Sequence, residues 1–150
     1  MKTINFLFLQ LVIFSIIEMT NVLSAQNVYC FWVGNYSDQD MSTIRIRKSG
    51  SSSFGSDLIP DMMIEPYEHV WIKTGSTYTS IYDVEISDAS GNPLRFTWTG
   101  NDGNVYTRSY ITLDLQPLNT LMITTDDYGN LTYDDVYEDS YGFGDPCNPY

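Results

Sequence analysis

An all-β fold, one antiparallel sandwich of about seven strands, is what this sequence predicts, and three observations carry the prediction. β-branched and aromatic residues gather in short runs, Gly, Asn, Asp and Ser punctuate those runs, and no stretch makes a convincing helix. A small closed β-barrel stands as the alternative, because it alternates inward and outward residues along each strand in the same way.

The first 25 residues are expected to be a signal peptide rather than fold. Lys2 gives a basic start, Phe6 to Ile17 is apolar but for Gln10 and Ser15, and Val22-Leu23-Ser24-Ala25 offers small residues for cleavage. The apolar stretch is short for a hydrocarbon core of about 30 Å, and Glu18 and Asn21 interrupt it. The expectation is therefore a secreted or periplasmic chain without a permanent membrane anchor.

From 26 to 125 the strands follow in order. Val28 to Val33 is apolar on both faces, which predicts a strand covered on two sides or by the returning C-terminal segment. Ser42 to Arg47 alternates isoleucines with arginines, and Tyr82 to Ile86 alternates apolar residues with acids, so both are half-buried strands. Val70-Trp71-Ile72, Leu94 to Thr99, Tyr110 to Leu115 and Leu121 to Thr125 complete the set. Asp88-Ala89-Ser90-Gly91-Asn92 and Asn101-Asp102-Gly103-Asn104 place Gly and Asn where hairpin turns need positive φ. The predicted core takes Ile44, Ile46, Val70, Ile72, Val84, Ile86, Leu94, Phe96, Trp98, Ile111, Leu113, Leu121 and Ile123.

The segment 126–150 differs in composition, with seven acidic residues, no basic one and many tyrosines. It is expected to be a separate, solvated C-terminal segment. Cys30 and Cys147 lie at opposite ends of the mature chain in a secretory context, which predicts one disulfide pinning that segment along the first strand.

Charge narrows the function classes. Without Lys2 and Glu18, six Lys and Arg face eighteen Asp and Glu, leaving the net charge at −12. Nucleic-acid binding is excluded, because phosphates demand clustered cations and only Arg45, Arg47 and Lys48 come together.

Several blocks occur in a characteristic order: Gly34-Asn35-Tyr36-Ser37 after the first strand, a Ser/Gly-rich loop from Lys48 to Ile59 holding Phe54-Gly55 and Asp57-Leu58, Glu65-Pro66-Tyr67-Glu68, and Tyr82-Asp83-Val84 leading to Asp88 and Gly91-Asn92. In these blocks the chain resembles a family of small secreted bacterial domains of unknown function, over about Val28 to Leu115. Phe54 stands where that family usually has Trp, and Glu65-Pro66-Tyr67-Glu68 lacks the usual glycine. The resemblance implies an immunoglobulin-like sandwich and brings no catalytic residues.

No catalytic constellation emerges from the residues themselves. His69 is the only histidine and falls on the outward face of its strand, no Gly-x-Ser-x-Gly elbow or phosphate loop is present, and Asp83, Glu85 and Asp114 belong to solvated strand faces. The expected cofactor is none. Calcium is the strongest chemical alternative, because Asp126, Asp127, Asp134 and Asp135 cluster oxygen ligands along a short stretch. That stretch is no EF-hand, since the positions needing an acid or amide, a glycine and a terminal glutamate fall on Tyr128, Leu131 and Tyr137. Tyr67, Trp71, Tyr78 and Tyr106 lie in polar or turn-rich stretches and are the candidates for stacking on sugar rings. The function expected is a non-enzymatic binding or structural module whose partner is an extracellular protein or a glycan, with a carbohydrate-binding or glycan-hydrolysing domain as the alternative.

Overall fold

The computed structural model describes residues 30–74, 81–115, 118–138, 140–144 and 147, so the expected signal peptide lies outside the described residues. Among the described residues there is no helix. Nine strands follow in chain order: β1 (Cys30–Tyr36), β2 (Thr43–Lys48), β3 (His69–Lys73), β4 (Ile81–Ser87), β5 (Phe96–Thr99), β6 (Val105–Arg108), β7 (Ile111–Asp114), β8 (Thr120–Thr125) and β9 (Leu131–Val136). They build a six-stranded sheet in the order β3-β1-β8-β9-β5-β6 and a three-stranded sheet in the order β2-β4-β7. The chain is thus all-β with two separate sheets, a sandwich rather than the closed barrel.

Seven strands become nine because β6 and β9 were not expected. The sandwich is also not purely antiparallel, since β1 runs parallel to β8 and β5 runs parallel to β9. β9 changes the status of the acidic segment. It lies inside the larger sheet between β8 and β5, pairing with β8 from Thr125↔Leu131 to Thr120↔Val136. A boundary after Thr125 would cut a hairpin in two.

Register explains the smaller sheet. β2 and β4 pair with Ile44 opposite Ile86 and Ile46 opposite Val84 on the core face, which leaves Arg45 opposite Glu85 and Arg47 opposite Asp83 outside. Opposite charges directly across an antiparallel pair stabilise it, and both pairs close as ion pairs, at 2.8 and 2.9 Å. Asp83 departs from the expectation of a solvated acid. It is 3% exposed and takes the Arg47 Nε–H on Oδ2 and the Thr112 hydroxyl on Oδ1, and the Arg47 guanidinium in turn lies over the rings of Phe54 and Tyr110.

Asn35 and Asp57 also hold the fold together. Asn35 is buried, donates its side-chain amide to the carbonyls of Gln39 and Ile64, and accepts from the Ser37 backbone and hydroxyl. Asp57 Oδ1 accepts the backbone N–H groups of Ile44 and Ile59, tying the Ser/Gly-rich loop to β2.

Between the sheets sit the inward residues of every strand except β6, together with Met41, Ile59, Ile64, Leu94, Leu115 and Leu118 from the connections. Two residues placed in the core by sequence differ: Val70 is half-buried at its margin, and Trp98 is half-buried outside it.

β1 is covered on both sides. Phe31, Val33 and Asn35 face the core, while Cys30, Trp32 and Gly34 face outward, Cys30 and Trp32 against the C-terminal segment and Gly34 against Met122. Cys147 closes the predicted disulfide with Cys30, the Trp32 indole Nε1 donates to the Gly144 carbonyl, and Phe143 stacks on His69 with ring centroids 4.4 Å apart. Closing a loop of this size is worth up to about 4.7 kcal/mol in the chain-entropy model, and the sequence separation here is 117.

Candidate functional site

The larger sheet has six strands against three, and the part left open is β6 with the outer end of β5 in the β5–β6 hairpin. Its turn is the predicted one, with the Gly103 N–H donating to the Gly100 carbonyl and the Gly100 N–H to the Asn104 carbonyl. Phe96 is buried in the core, so alternation puts Trp98 on the same inner face, and the register sets Arg108 opposite Phe96 and Tyr106 opposite Trp98. Every residue of β6 is exposed. The inner face of the hairpin therefore carries Trp98, Tyr106 and Arg108 past the limit of the smaller sheet.

The overhang leaves a cleft of about 240 Å³ lined by Phe96, Trp98, Arg108, Tyr110, Ile111, Thr112 and Tyr133. Its aromatic rings are held in place by one another. Trp98 stacks on Tyr106 at 5.6 Å and 22°, and the Arg108 guanidinium lies 4.9 Å from the Trp98 ring and 5.7 Å from Tyr110. Tyr110 in turn meets Phe54 and the Arg47 guanidinium, so an aromatic and arginine ladder passes from the open hairpin to the outer face of the smaller sheet. Each such cation and ring contact is worth about 0.5–1 kcal/mol at an exposed position, enough to hold a rotamer but not a fold.

Tyr106 is fixed from its other end by Asp102, which accepts the phenol hydrogen at 2.5 Å. With the Asn104 amide groups, that bond holds the Asp102 carboxyl down at about 2. Gly100 makes the posture attainable, because a Cβ there would lie 2.6 Å from the Tyr106 ring. On the far wall, burial first and the Asp135 carboxylate second raise the Tyr133 phenol above its ordinary value, while Arg108 pulls it the other way. Tyr133 is thus a neutral hydrogen-bonding group at neutral pH. Tyr137 is pushed up to about 12, by burial first and by the bond its hydroxyl donates to Asp135 second.

The four aromatic candidates do not form one site. Tyr106 is 41% exposed and stacks on Trp98 beside the cleft. Tyr67, 78% exposed with a φ of 67°, and half-buried Trp71 lie at the β3 edge, five strand spacings or about 24 Å across the sheet. Tyr78 lies outside the described residues. The β3 edge has a larger open groove of about 840 Å³, with Trp32, His69, Trp71 and Phe143 among its walls. There Trp32, His69 and Phe143 pack on one another to hold the C-terminal segment down. In the cleft, Trp98 and Arg108 lie outside the core cluster, and β6 contributes nothing to it.

Nor are the four calcium candidates brought together. Asp126 opens the β8–β9 turn, where Oδ1 accepts the N–H groups of Tyr128 and Asn130, and those bonds, Asn130 foremost, hold its carboxyl below the ordinary range. Asp127 is exposed on that turn. Asp134 and Asp135 are successive strand residues on opposite faces, bonded to the hydroxyls of Tyr141 and Tyr137. Among the described residues no three His, Cys, Asp or Glu side chains are grouped to hold a metal ion.

The site residues missed by sequence are Trp98, assigned to the core, and Arg108, Tyr110 and Tyr133. The signal for β6 was present: a hairpin turn at 101–104 requires a returning strand, and Val105-Tyr106-Thr107-Arg108 has the composition of one.

No family model matches the sequence, and no curated protein matches it. Among solved structures, the chain is similar to an NMR structure of a protein from Eubacterium rectale, with 9% sequence identity and a TM-score of 0.45 over 78% of this chain and 96% of that one.

Proposed function

We propose that this chain is a secreted, non-enzymatic binding module of the small immunoglobulin-like kind, and that it takes a glycan ligand in the cleft of the β5–β6 hairpin. One observation carries the reading: an open cleft at the margin of the core, where Trp98, Arg108, Tyr110 and Tyr133 gather and where Trp98 and Arg108 lie outside the core cluster. Aromatic faces suit the C–H faces of sugar rings, and the hydroxyls and guanidinium suit sugar oxygens, so the lining is built for recognition rather than proton transfer.

Secretion is supported by the basic and apolar N-terminus and by the Cys30–Cys147 disulfide, which belongs to an oxidising compartment. The immunoglobulin-like reading rests on the two-sheet sandwich and on Asn35, Asp57 and Asp83, whose pinning roles fit their places in the resembling blocks.

A glycan array probed with the mature protein tests the proposal, with Trp98→Ala and Trp71→Ala alongside. Trp98→Ala is expected to abolish the signal and Trp71→Ala to leave it. Retention by Trp98→Ala with loss by Trp71→Ala would move the site to the β3 edge, and an array without signal would remove glycan binding.

A further inference from the structure

Among the described residues, ion pairing leaves out two guanidinium groups, those of Arg95 and Arg108. Arg45 and Arg47 each have a carboxylate partner across the β2–β4 pair. Arg108 has none within 4 Å among the described residues, although eighteen carboxylates follow residue 25. Of the described basic residues outside an ion pair, Arg108 alone is held over aromatic rings. Those rings take up the guanidinium, while its N–H groups, which radiate in the guanidinium plane, keep no carboxylate partner among the described residues. An arginine so placed is already ordered for a planar, two-oxygen acceptor, and part of the entropic cost of fixing it has been met before a ligand arrives.

From this geometry we infer that the cleft selects a sugar bearing a carboxylate, a uronic acid, with the ring against the aromatic wall of Trp98 and Tyr110 and the carboxylate on Arg108. The inference rests on the glycan reading above and names the ligand class for the same cleft. At about 240 Å³ the cleft is below the roughly 300 Å³ at which drug-sized pockets begin, so it holds one sugar ring, with the rest of a chain in solvent. The net charge of −12 opposes an anion only at short range, because at physiological ionic strength fields are screened beyond about 8 Å. Neighbouring carboxylates are already engaged: Asp102 accepts the Tyr106 hydroxyl, Asp135 accepts the Tyr137 hydroxyl, and Asp83 is paired with Arg47 and accepts the hydroxyl of the cleft-lining Thr112.

The test compares three probes by calorimetric titration: a galacturonic-acid trisaccharide, its methyl ester, which keeps the shape and removes the charge, and the neutral galactose trisaccharide. Each is run against the wild-type mature protein, Arg108→Gln and Arg108→Lys. The free acid is expected to bind wild type at least tenfold more tightly than the ester or the neutral sugar. Arg108→Gln is expected to erase that preference, and Arg108→Lys to keep only part of it, since an ammonium lacks the two-pronged geometry. Because β6 lies outside the core, near-ultraviolet circular dichroism should show both variants folded. Equal binding of the three probes by wild type, or an undiminished preference in Arg108→Gln, overturns this inference and leaves glycan binding standing. No binding of any probe overturns both.

Discussion

Trp32 and Gly144, 112 residues apart in the chain, are joined by a hydrogen bond from the indole Nε1 to the glycine carbonyl over 3.2 Å. The bond is one of three ties, with the disulfide and the His69–Phe143 stack, that lay the C-terminal segment across the outer face of β1. The segment therefore does for β1 what a third layer would do.

Breaking the covalent tie should expose that face. Cys147→Ser is expected to lower stability by about 2–5 kcal/mol, the usual cost of removing a disulfide from a small secreted domain. The Trp32 emission should move to longer wavelength while the cleft keeps its ligand. Denaturant melts followed by tryptophan fluorescence check both, and an unchanged midpoint would mean that the segment covers nothing of consequence.

Asp83→Ala should be costly although it removes a single surface-sheet acid. The substitution leaves the Arg47 guanidinium, largely covered by Phe54 and Tyr110, without its counter-charge, a loss of about 3 kcal/mol for a buried pair. Glu85→Ala, whose arginine partner is 38% exposed, should change stability by less than about 1 kcal/mol. Equal effects of the two would contradict the difference in burial.

Much of the architecture was legible in the sequence because period-two alternation and turn glycines are local signals. The isoleucines of β2 and β4 and the turn at Asp88 follow directly from them. What escaped was non-local. Asp126-Asp127-Tyr128-Gly129-Asn130 repeats the Asp-x-x-Gly-Asn spelling of Asp88 to Asn92 and makes the same turn, with Asp accepting from Asn and Gly at φ 80° and 81°. Its acidity disguised it as a tail, and so β9 was overlooked. Trp98 shows the other limit. Its alternation correctly gave the inner face, but only the count of strands in each sheet reveals that the inner face at β5 is open.

The cleft should respond to acid through Asp102. Its carboxyl is lowered from 3.8 to about 2 in the folded state, chiefly by the Tyr106 hydroxyl, so its contribution is complete above about pH 3.8 and is lost as pH falls toward 2. Between those values wild type should lose stability that Asp102→Asn does not. Parallel slopes for the two proteins in pH-dependent melts would contradict the Tyr106–Asp102 bond.

Calcium should leave the fold unmoved. Asp126 is engaged by its own turn and Asp134 and Asp135 diverge, so thermal midpoints in EDTA and in millimolar calcium are expected to coincide. A shift with calcium that magnesium does not reproduce would restore a specific site.

The central claim, that ligand enters the β5–β6 cleft, is tested most directly by the three indole N–H resonances of Trp32, Trp71 and Trp98 in a ¹⁵N nuclear magnetic resonance titration with the galacturonic-acid trisaccharide and its neutral counterpart. The Trp98 indole and the backbone amides of Tyr106 and Arg108 should shift on addition while the indoles of Trp32 and Trp71 stay in place. Movement of the Trp71 indole with Trp98 unmoved would contradict it.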